Sequence, residues 1–290
     1  MYVESGRADP LIDFALEWLY QNLPNPPGRP VLVHGDAGPG NFLFEDGHLT
    51  ALLDWELAHP GDPMEDLAWF SMRAVMEPVP DFPERIREYG MLMGVPADVA
   101  RIRYHRVFVS LRVVIIRHRN VTGQPGNSIV SAALNRRLLV AALAKASGIE
   151  LPPALPIEAP PTARTPLYDS VLKDLREEIV AIGGDPRVAA AGKNAAKVLK
   201  YLRDVDRFGN VVEIQELAAL TALLGKTPES IQAGQEALLC AMRARTISFE
   251  SIIKLFAGTT AREAKLAAAS SGGLARRHFP ALEYNRDSDV

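Results

Sequence analysis

The chain has 290 residues, 48% of them hydrophobic and 23% charged, enough to build a sizeable core or two. A formal net charge of −3 and a pI near 6.1 exclude a strong electrostatic pull towards nucleic acid or acidic membranes, so neither is expected as a partner. The single cysteine, Cys240, rules out an internal disulfide and a thiolate metal site, a usage that suits a reducing cytoplasm.

Met1 to Asp9 has no basic start followed by an apolar stretch, so no secretory signal is expected. Asp9-Pro10 has the form of a helix start, the aspartate capping and the proline in the first turn. Leu11, Phe14, Ala15, Trp18 and Leu19 then recur at three- and four-residue spacing, which predicts a helix over 9–23 with one apolar face. Pro24, Pro26, Pro27 and Pro30 end it and feed the short apolar run Val31-Leu32-Val33, the pattern of a buried strand. Phe42-Leu43-Phe44 and Leu49 to Leu53 are two further strands, joined across Asp46-Gly47, a dipeptide suited to the positive φ angles of a tight hairpin.

Polar residues gather at the ends of these strands, where a rigid scaffold can present them to a ligand. Asp36 leaves the first strand, Asn41 follows after a loop containing Gly38, Pro39 and Gly40, and Asp54 stands at the far end of the hairpin. A carboxylate and an amide oxygen converging from two loops form a hard oxygen site of the kind Mg²⁺ uses, completed by water and phosphate oxygens. The second carboxylate, Asp36, is then free to take a proton from a hydroxyl nucleophile; metal and base are the parts that phosphoryl transfer needs. A lone His-Gly-Asp is common, and an aspartate ending a strand is often only a cap. It is the combination of His34-Gly35-Asp36, Asn41, the hairpin and Asp54-Trp55-Glu56 that points to a site.

On these residues the chain resembles the aminoglycoside phosphotransferase and choline kinase family, relatives of the protein kinases. His34-Gly35-Asp36 with Asn41 resembles the family's catalytic loop, and Asp54-Trp55-Glu56 resembles its metal-binding motif. Gly61-Asp62-Pro63-Met64-Glu65-Asp66-Leu67-Ala68 is similar to the segment that begins the next helix and buttresses that loop. The resemblance implies Asp36 as catalytic base and Asn41 and Asp54 as Mg²⁺ ligands holding the phosphates of ATP, with His34 and Asp66 as loop-fixing groups. It is strong over about residues 30–70, extends more loosely to 150 and is absent beyond. In this family an N-terminal lobe of about a hundred residues supplies a Gly-rich strand pair, a strand lysine and a helix glutamate. Here thirty-three residues precede His34 and the first lysine is Lys145, so the chain reads as a C-lobe without its N-lobe. That lobe is expected to be truncated away, to come from another chain, or to have been lost from a remnant.

The remaining elements follow in order. Pro63 to Val75 is expected to be helical, with Trp55 and Trp69 as core residues rather than stacking platforms. Val79 to Pro83 reads as a turn and Glu84 to Met93 as a helix closed by Gly94. Ala97 to Asn120 and Ser128 to Ser147 read as longer helices joined by a turn over Thr122 to Gly126. Within the first of these, Val107 to Ile116 is too short and too charged to span a bilayer and is expected to be buried. Glu65, Glu77 and Asp81 are read as solvated surface, with contact to a substrate as the alternative. Leu151 to Pro166 carries six prolines without any period, an extended spacer marking a domain boundary. Beyond it, helices are expected over 167–182, from Asp185-Pro186 to about Phe208, over 213–224, from Thr227 to Ala244, over 248–256 and over 260–270. Cys240 is read as a small core residue, Arg243, Arg245 and Arg276-Arg277-His278 as water-facing charge, and 283–290 as a frayed tail.

The expected architecture is therefore α+β and mainly helical: a protein-kinase-like C-lobe with a small β-hairpin over 1–150, a Pro-rich linker over 151–166 and an all-α bundle over 167–290. The expected function is ATP- and Mg²⁺-dependent phosphoryl transfer to a small-molecule hydroxyl. The acceptor could be a sugar, a choline-like alcohol or a hydroxyacyl thioester, the last because similar kinase domains occur beside acyl-CoA dehydrogenases. The alternative is a non-catalytic scaffold or interaction protein derived from a kinase lobe; a metal-dependent hydrolase has too few ligands for two metals. Apolar surface left bare on the cleft side is expected to be covered by the helical domain, a second copy of the chain or an N-lobe-bearing partner.

Overall fold

The computed structural model describes residues 8–25, 30–119, 125–181 and 184–284. It is mainly helical with two small antiparallel sheets, the α+β class expected. Contacts divide the chain into two compact units, one comprising residues 17–112 with 276–290 and the other 1–16 with 113–275. Two helices, α1 (Pro10–Gln21) and α4 (Val99–Arg119), run from one unit into the other.

In the first unit, β1 (Val31–Val33) pairs with β4 (His59–Gly61), Val31 opposite Gly61 and Val33 opposite His59. The sequence offers little sign of β4, because proline and glycine are poor strand residues; Pro60 is tolerated on an edge where no N–H is needed. A separate hairpin joins β2 (Phe42–Glu45) to β3 (His48–Leu52), with Phe42 opposite Leu52. Its turn residues, Asp46 and Gly47, have φ angles of 51° and 78°, as a primed two-residue turn requires.

The helices of this unit are α2 (Met64–Met76), α3 (Phe82–Met93) and the first part of α4. Asp62 binds the start of α2 to α4. Its Oδ1 accepts from the Met64 N–H at 3.0 Å, while Oδ2 lies 2.9 Å from Arg101 Nε and 3.2 Å from His105 Nε2. Trp18, Val33, Leu67, Trp69, Val75, Phe82, Ile102 and Val107 are among the buried side chains of this unit. Gly94, at φ 72°, closes α3 where expected.

Some expectations are corrected here. Trp69 is buried, but Trp55 is 44% exposed and donates its indole N–H to the Leu52 carbonyl at 2.9 Å. Glu65 is not solvated: it is 4% exposed, with His59 Nε2 at 3.3 Å and Arg112 Nη1 at 3.6 Å, because α2 turns that face towards α4. Glu77 and Asp81 are exposed, and Asp81 accepts from the Tyr284 hydroxyl at 2.7 Å. Glu283 is also held, by Arg103 at 2.6 Å, so the start of the expected frayed tail has partners; 285–290 lie outside the described residues.

The second unit contains α5 (Pro125–Ala146), α6 (Thr165–Asp174), a π-helical turn (Leu175–Val180), α7 (Pro186–Leu224), α8 (Ile231–Arg243) and α9 (Phe249–Ser271). Helix α5 begins at Pro125, so Pro125 and Gly126 are helical rather than part of a turn; 120–124, like 182–183, lie outside the described residues. Residues 151–162 form neither helix nor strand and lie along α7. Arg207 Nε donates to the Ala159 carbonyl at 2.7 Å, Gln215 Nε2 to the Pro156 carbonyl at 3.2 Å, and Ile157 is buried.

Both pairs of short helices expected on either side of a glycine are single helices. Helix α7 passes through Gly209 and α9 through Gly258. A glycine inside a helix costs about 1 kcal/mol, less than is regained by burying Phe208 and Leu220, or Ile253 and Phe256. Gly258 also makes room for Arg262, whose Nη1 would stand 3.2 Å from a Cβ at that position. Arg262 donates through Nε to Glu216 Oε2 at 2.7 Å, and Thr259 Oγ1 donates to Glu216 Oε1 at 2.8 Å. Cys240 is exposed, a correction: Leu238, Leu239 and Met242 take the buried face of α8.

The Glu216–Arg262 pair is buried on both sides, so removing one partner leaves an uncompensated charge. Glu216→Ala is expected to lower the unfolding free energy by about 3–5 kcal/mol, whereas the double variant Glu216→Leu/Arg262→Met recovers most of that loss. Urea denaturation followed by circular dichroism reads both, and equal losses would mean that the pair is not the organising contact.

Candidate functional site

The site is built where β1 ends. Gly35 turns the chain at φ 78°, and a Cβ there would stand 2.5 Å from the Leu57 carbonyl oxygen, so only glycine fits. The two backbone N–H groups released at this turn are both claimed by one carboxylate. Asp66, in the first turn of α2, accepts from His34 N–H at 2.9 Å and from Gly35 N–H at 3.0 Å. The His34 side chain is buried, with Nε2 2.8 Å from the Leu53 carbonyl and Nδ1 accepting from the Asp36 N–H at 3.3 Å. Those two contacts place its proton on Nε2. Its ring centroid lies 4.7 Å from that of Trp55. Nearby, burial and then the charges of Asp66 and Asp62 push the Tyr89 phenol up.

Asp36 is gripped from two directions. Its Oδ1 accepts from Arg73 Nε at 2.9 Å, and its Oδ2 accepts from Arg73 Nη2 and from Asn41 Nδ2, the latter at 3.2 Å. Asn41 Nδ2 also donates to the Asp36 carbonyl at 2.9 Å, closing the five-residue loop on itself. Gly38 lies directly on the Arg73 side chain: a Cβ at position 38 would be 2.4 Å from Arg73 Cγ and 2.6 Å from its Cβ. The loop therefore needs a glycine at 38 for Arg73 to reach Asp36.

Asn41 carries the hairpin to the same place. Its carbonyl accepts from the Leu53 N–H at 2.8 Å, one rung beyond the Phe42–Leu52 pair, so Asp54 follows directly after the residue bonded to Asn41. Asp54 has left-handed backbone angles (φ 65°, ψ 55°), is exposed and begins a short 3₁₀ turn, Trp55–Leu57. Its carboxylate has no hydrogen-bond or ion-pair partner among the described residues. The Asn41 amide nitrogen is spent on Asp36, and its amide oxygen accepts no hydrogen bond from the described residues. Two hard oxygen donors without other employment fit an Mg²⁺ ion that takes the rest of its shell from water and phosphate. Among the described residues no group of three or more histidine, cysteine, aspartate or glutamate side chains forms a metal cage.

The structure thus brings His34, Asp36, Asn41 and Asp66 into one hydrogen-bonded loop and joins Asp54 to it through the hairpin backbone. Arg73 is the member that sequence reasoning missed. A signal was present: it follows Asp66 by seven residues, two helical turns, and so shares its face of α2.

Asp66→Asn leaves one good acceptor for two buried N–H donors and is expected to cost about 1–3 kcal/mol. Gly38→Ala overpacks Arg73 and is expected to cost a similar amount, about 1–3 kcal/mol. Chemical denaturation measures both losses, and an unchanged midpoint in either variant would show that the loop is held by other contacts.

Part of the chain is similar to known proteins. Residues 2–103 match the model of the "Phosphotransferase enzyme family". The chain is 43% identical over 58 residues to "Acyl-CoA dehydrogenase family member 11" of Homo sapiens, a match covering 19% of this chain and 7% of that protein. It is 28% identical over 142 residues to "Acyl-CoA dehydrogenase family member 10" of Mus musculus, covering 41% of this chain and 13% of the relative. The chain thus spans only a small fraction of the curated relatives it matches. No solved structure matches it. Residues 2–103, where the loop, the hairpin and the buttressing helix lie, are thus similar to the phosphotransferase enzyme family.

Proposed function

We propose that the site serves ATP- and Mg²⁺-dependent phosphoryl transfer to a small-molecule hydroxyl, with Asp36 as the acceptor base, Asn41 and Asp54 as metal ligands, and His34 and Asp66 holding the loop. The observation that carries this reading is the pairing of a fixed carboxylate with two unemployed oxygen donors beside it. Asp36 accepts three side-chain hydrogen bonds, and a carboxylate offers about four lone-pair sites, so room remains for the proton of an incoming hydroxyl. Bound Mg²⁺ would neutralise charge on the nucleotide phosphates. With no lysine before Lys145, Arg73 is the cation of this chain nearest to Asp36 that can face a transferring phosphoryl group.

That the relatives are acyl-CoA dehydrogenase family members favours a hydroxyacyl thioester as acceptor over a sugar or a choline-like alcohol. A cytoplasmic setting goes with this reading. Leu32 on β1, Phe44 and Leu49 on the hairpin and Trp55 in the turn after it are exposed, the surface on which an N-lobe-bearing partner or a second copy would sit.

One observation supports a second reading, a non-catalytic scaffold. Arg73 occupies both oxygens of Asp36, a pairing that locks the carboxylate as well as aims it.

Titration of Mg-ATP into the chain separates the two. The catalytic reading expects saturable, Mg²⁺-dependent heat that is lost in Asp54→Ala and kept in Asp36→Asn, with phosphorylation of a hydroxyacyl thioester falling roughly 10²–10⁴-fold in Asp36→Asn. No heat with wild type would overturn nucleotide binding by this chain and leave the scaffold.

A further inference from the structure

Helix α6 and the π-helical turn after it lie against the first half of α7 and enclose a half-open cavity of about 450 Å³. That is within the roughly 300–1,000 Å³ of small-molecule sites. Its wall is apolar, formed by Leu172, Leu175 and Val180 on one side and Ala196 of α7 on the other. The π turn rests on α7 at Gly192: a Cβ there would stand 2.9 Å from Val180 Cγ2. A π-helical turn carries an extra residue per turn, strains the ladder and recurs at functional sites.

The charged part of the cavity's lining is mainly cationic, five lysines and arginines to one carboxylate, Asp169. Lys173, Arg176 and Arg203 line it but are engaged, the first two with Glu177 at 3.9 and 2.9 Å and the third with Asp169 at 2.9 Å and Asp204 at 3.7 Å. Lys193 and Lys200 line it as well, and neither has a hydrogen bond or ion pair with any described residue. They are seven residues apart on α7, hence on one face and about 10 Å apart along the axis. Two unpaired ammonium groups above an apolar wall are complementary to a molecule that is anionic at one end and apolar at the other. In a chain of net charge −3, this local excess of positive charge is not a general property of the surface.

We propose that this cavity binds a small amphiphilic anion, its phosphate or carboxylate head held by Lys193 and Lys200 and its aliphatic body against Leu172, Leu175 and Val180. The inference is independent of the phosphotransferase reading, since it uses none of the same residues.

The test is calorimetric titration of the full chain with monomeric octyl phosphate, and with octanoate, octanol and inorganic phosphate as separate arms. Saturable binding of octyl phosphate or octanoate is expected, the preferred one identifying the head group, with octanol and inorganic phosphate at least roughly tenfold weaker. Lys193→Gln/Lys200→Gln removes the charge at surface positions without protein partners, and Ala196→Phe fills the cavity while keeping the charge. Each is expected to weaken binding roughly tenfold or more, with the thermal midpoint of the lysine variant unchanged. Binding that survives Ala196→Phe would mean a diffuse surface attraction and would overturn the site. So would equal affinity in the lysine variant, or binding to anionic phospholipid vesicles without binding to monomeric octyl phosphate.

Discussion

The candidate site depends on one carboxylate that satisfies two backbone donors. Where the chain leaves β1 it turns at Gly35, and the N–H groups of His34 and Gly35 no longer have a strand to pair with. Asp66 takes both, at 2.9 and 3.0 Å. Buried backbone donors must find acceptors, and a charged acceptor binds them more strongly than a carbonyl would. The consequence is positional. The start of α2 and the end of β1 become one rigid object, and everything that follows in the loop inherits that geometry.

Asp36 is placed by what the grip makes possible. With α2 fixed, Arg73 is carried two turns along the same helix face to the carboxylate of Asp36, over the bare Cα of Gly38. Asn41 closes the loop from the other side and, through its carbonyl, sets the register of the hairpin that ends in Asp54. A single chain of hydrogen bonds therefore runs from α2 through the loop to the hairpin. The groups left over at its end, the Asn41 amide oxygen and the Asp54 carboxylate, are those that a hard cation would take.

The other unit solves a different problem by related means. Its long helices bury charge as well as apolar surface, and each buried charge has a counterpart: Arg262 with Glu216, and Arg136 with Asp9 and Glu263 at 2.6 and 3.0 Å. Small residues give these arginines space, as Gly258 does beneath Arg262. Along the first half of α7, by contrast, Lys193 and Lys200 line the cavity without a counterpart among the described residues.

Much of the kinase-like part was legible in the sequence because its determinants are local. Asp9-Pro10 starts α1, with Asp9 Oδ1 accepting from the Leu11 N–H at 2.9 Å, and Asp46-Gly47 makes the hairpin turn because two adjacent residues there adopt positive φ. Asp36, Asn41 and Asp54 could be singled out because their spacing follows from that same strand, loop and hairpin, whereas His34 and Asp66 were implied by the resemblance of their segments to a known family. What the sequence could not decide was every feature set by distant neighbours. Pro60 and Gly61 become a strand because β1 needs an edge partner, Trp55 is exposed while Trp69 is buried, and α7 and α9 run through glycines that read as breaks. Arg73 belongs to the same class, since nothing near it in the chain says that Asp36 is its partner. Local backbone chemistry acts over a few residues and can be read from them; the choice of partner depends on which surfaces meet, and that is settled only when the tertiary structure forms.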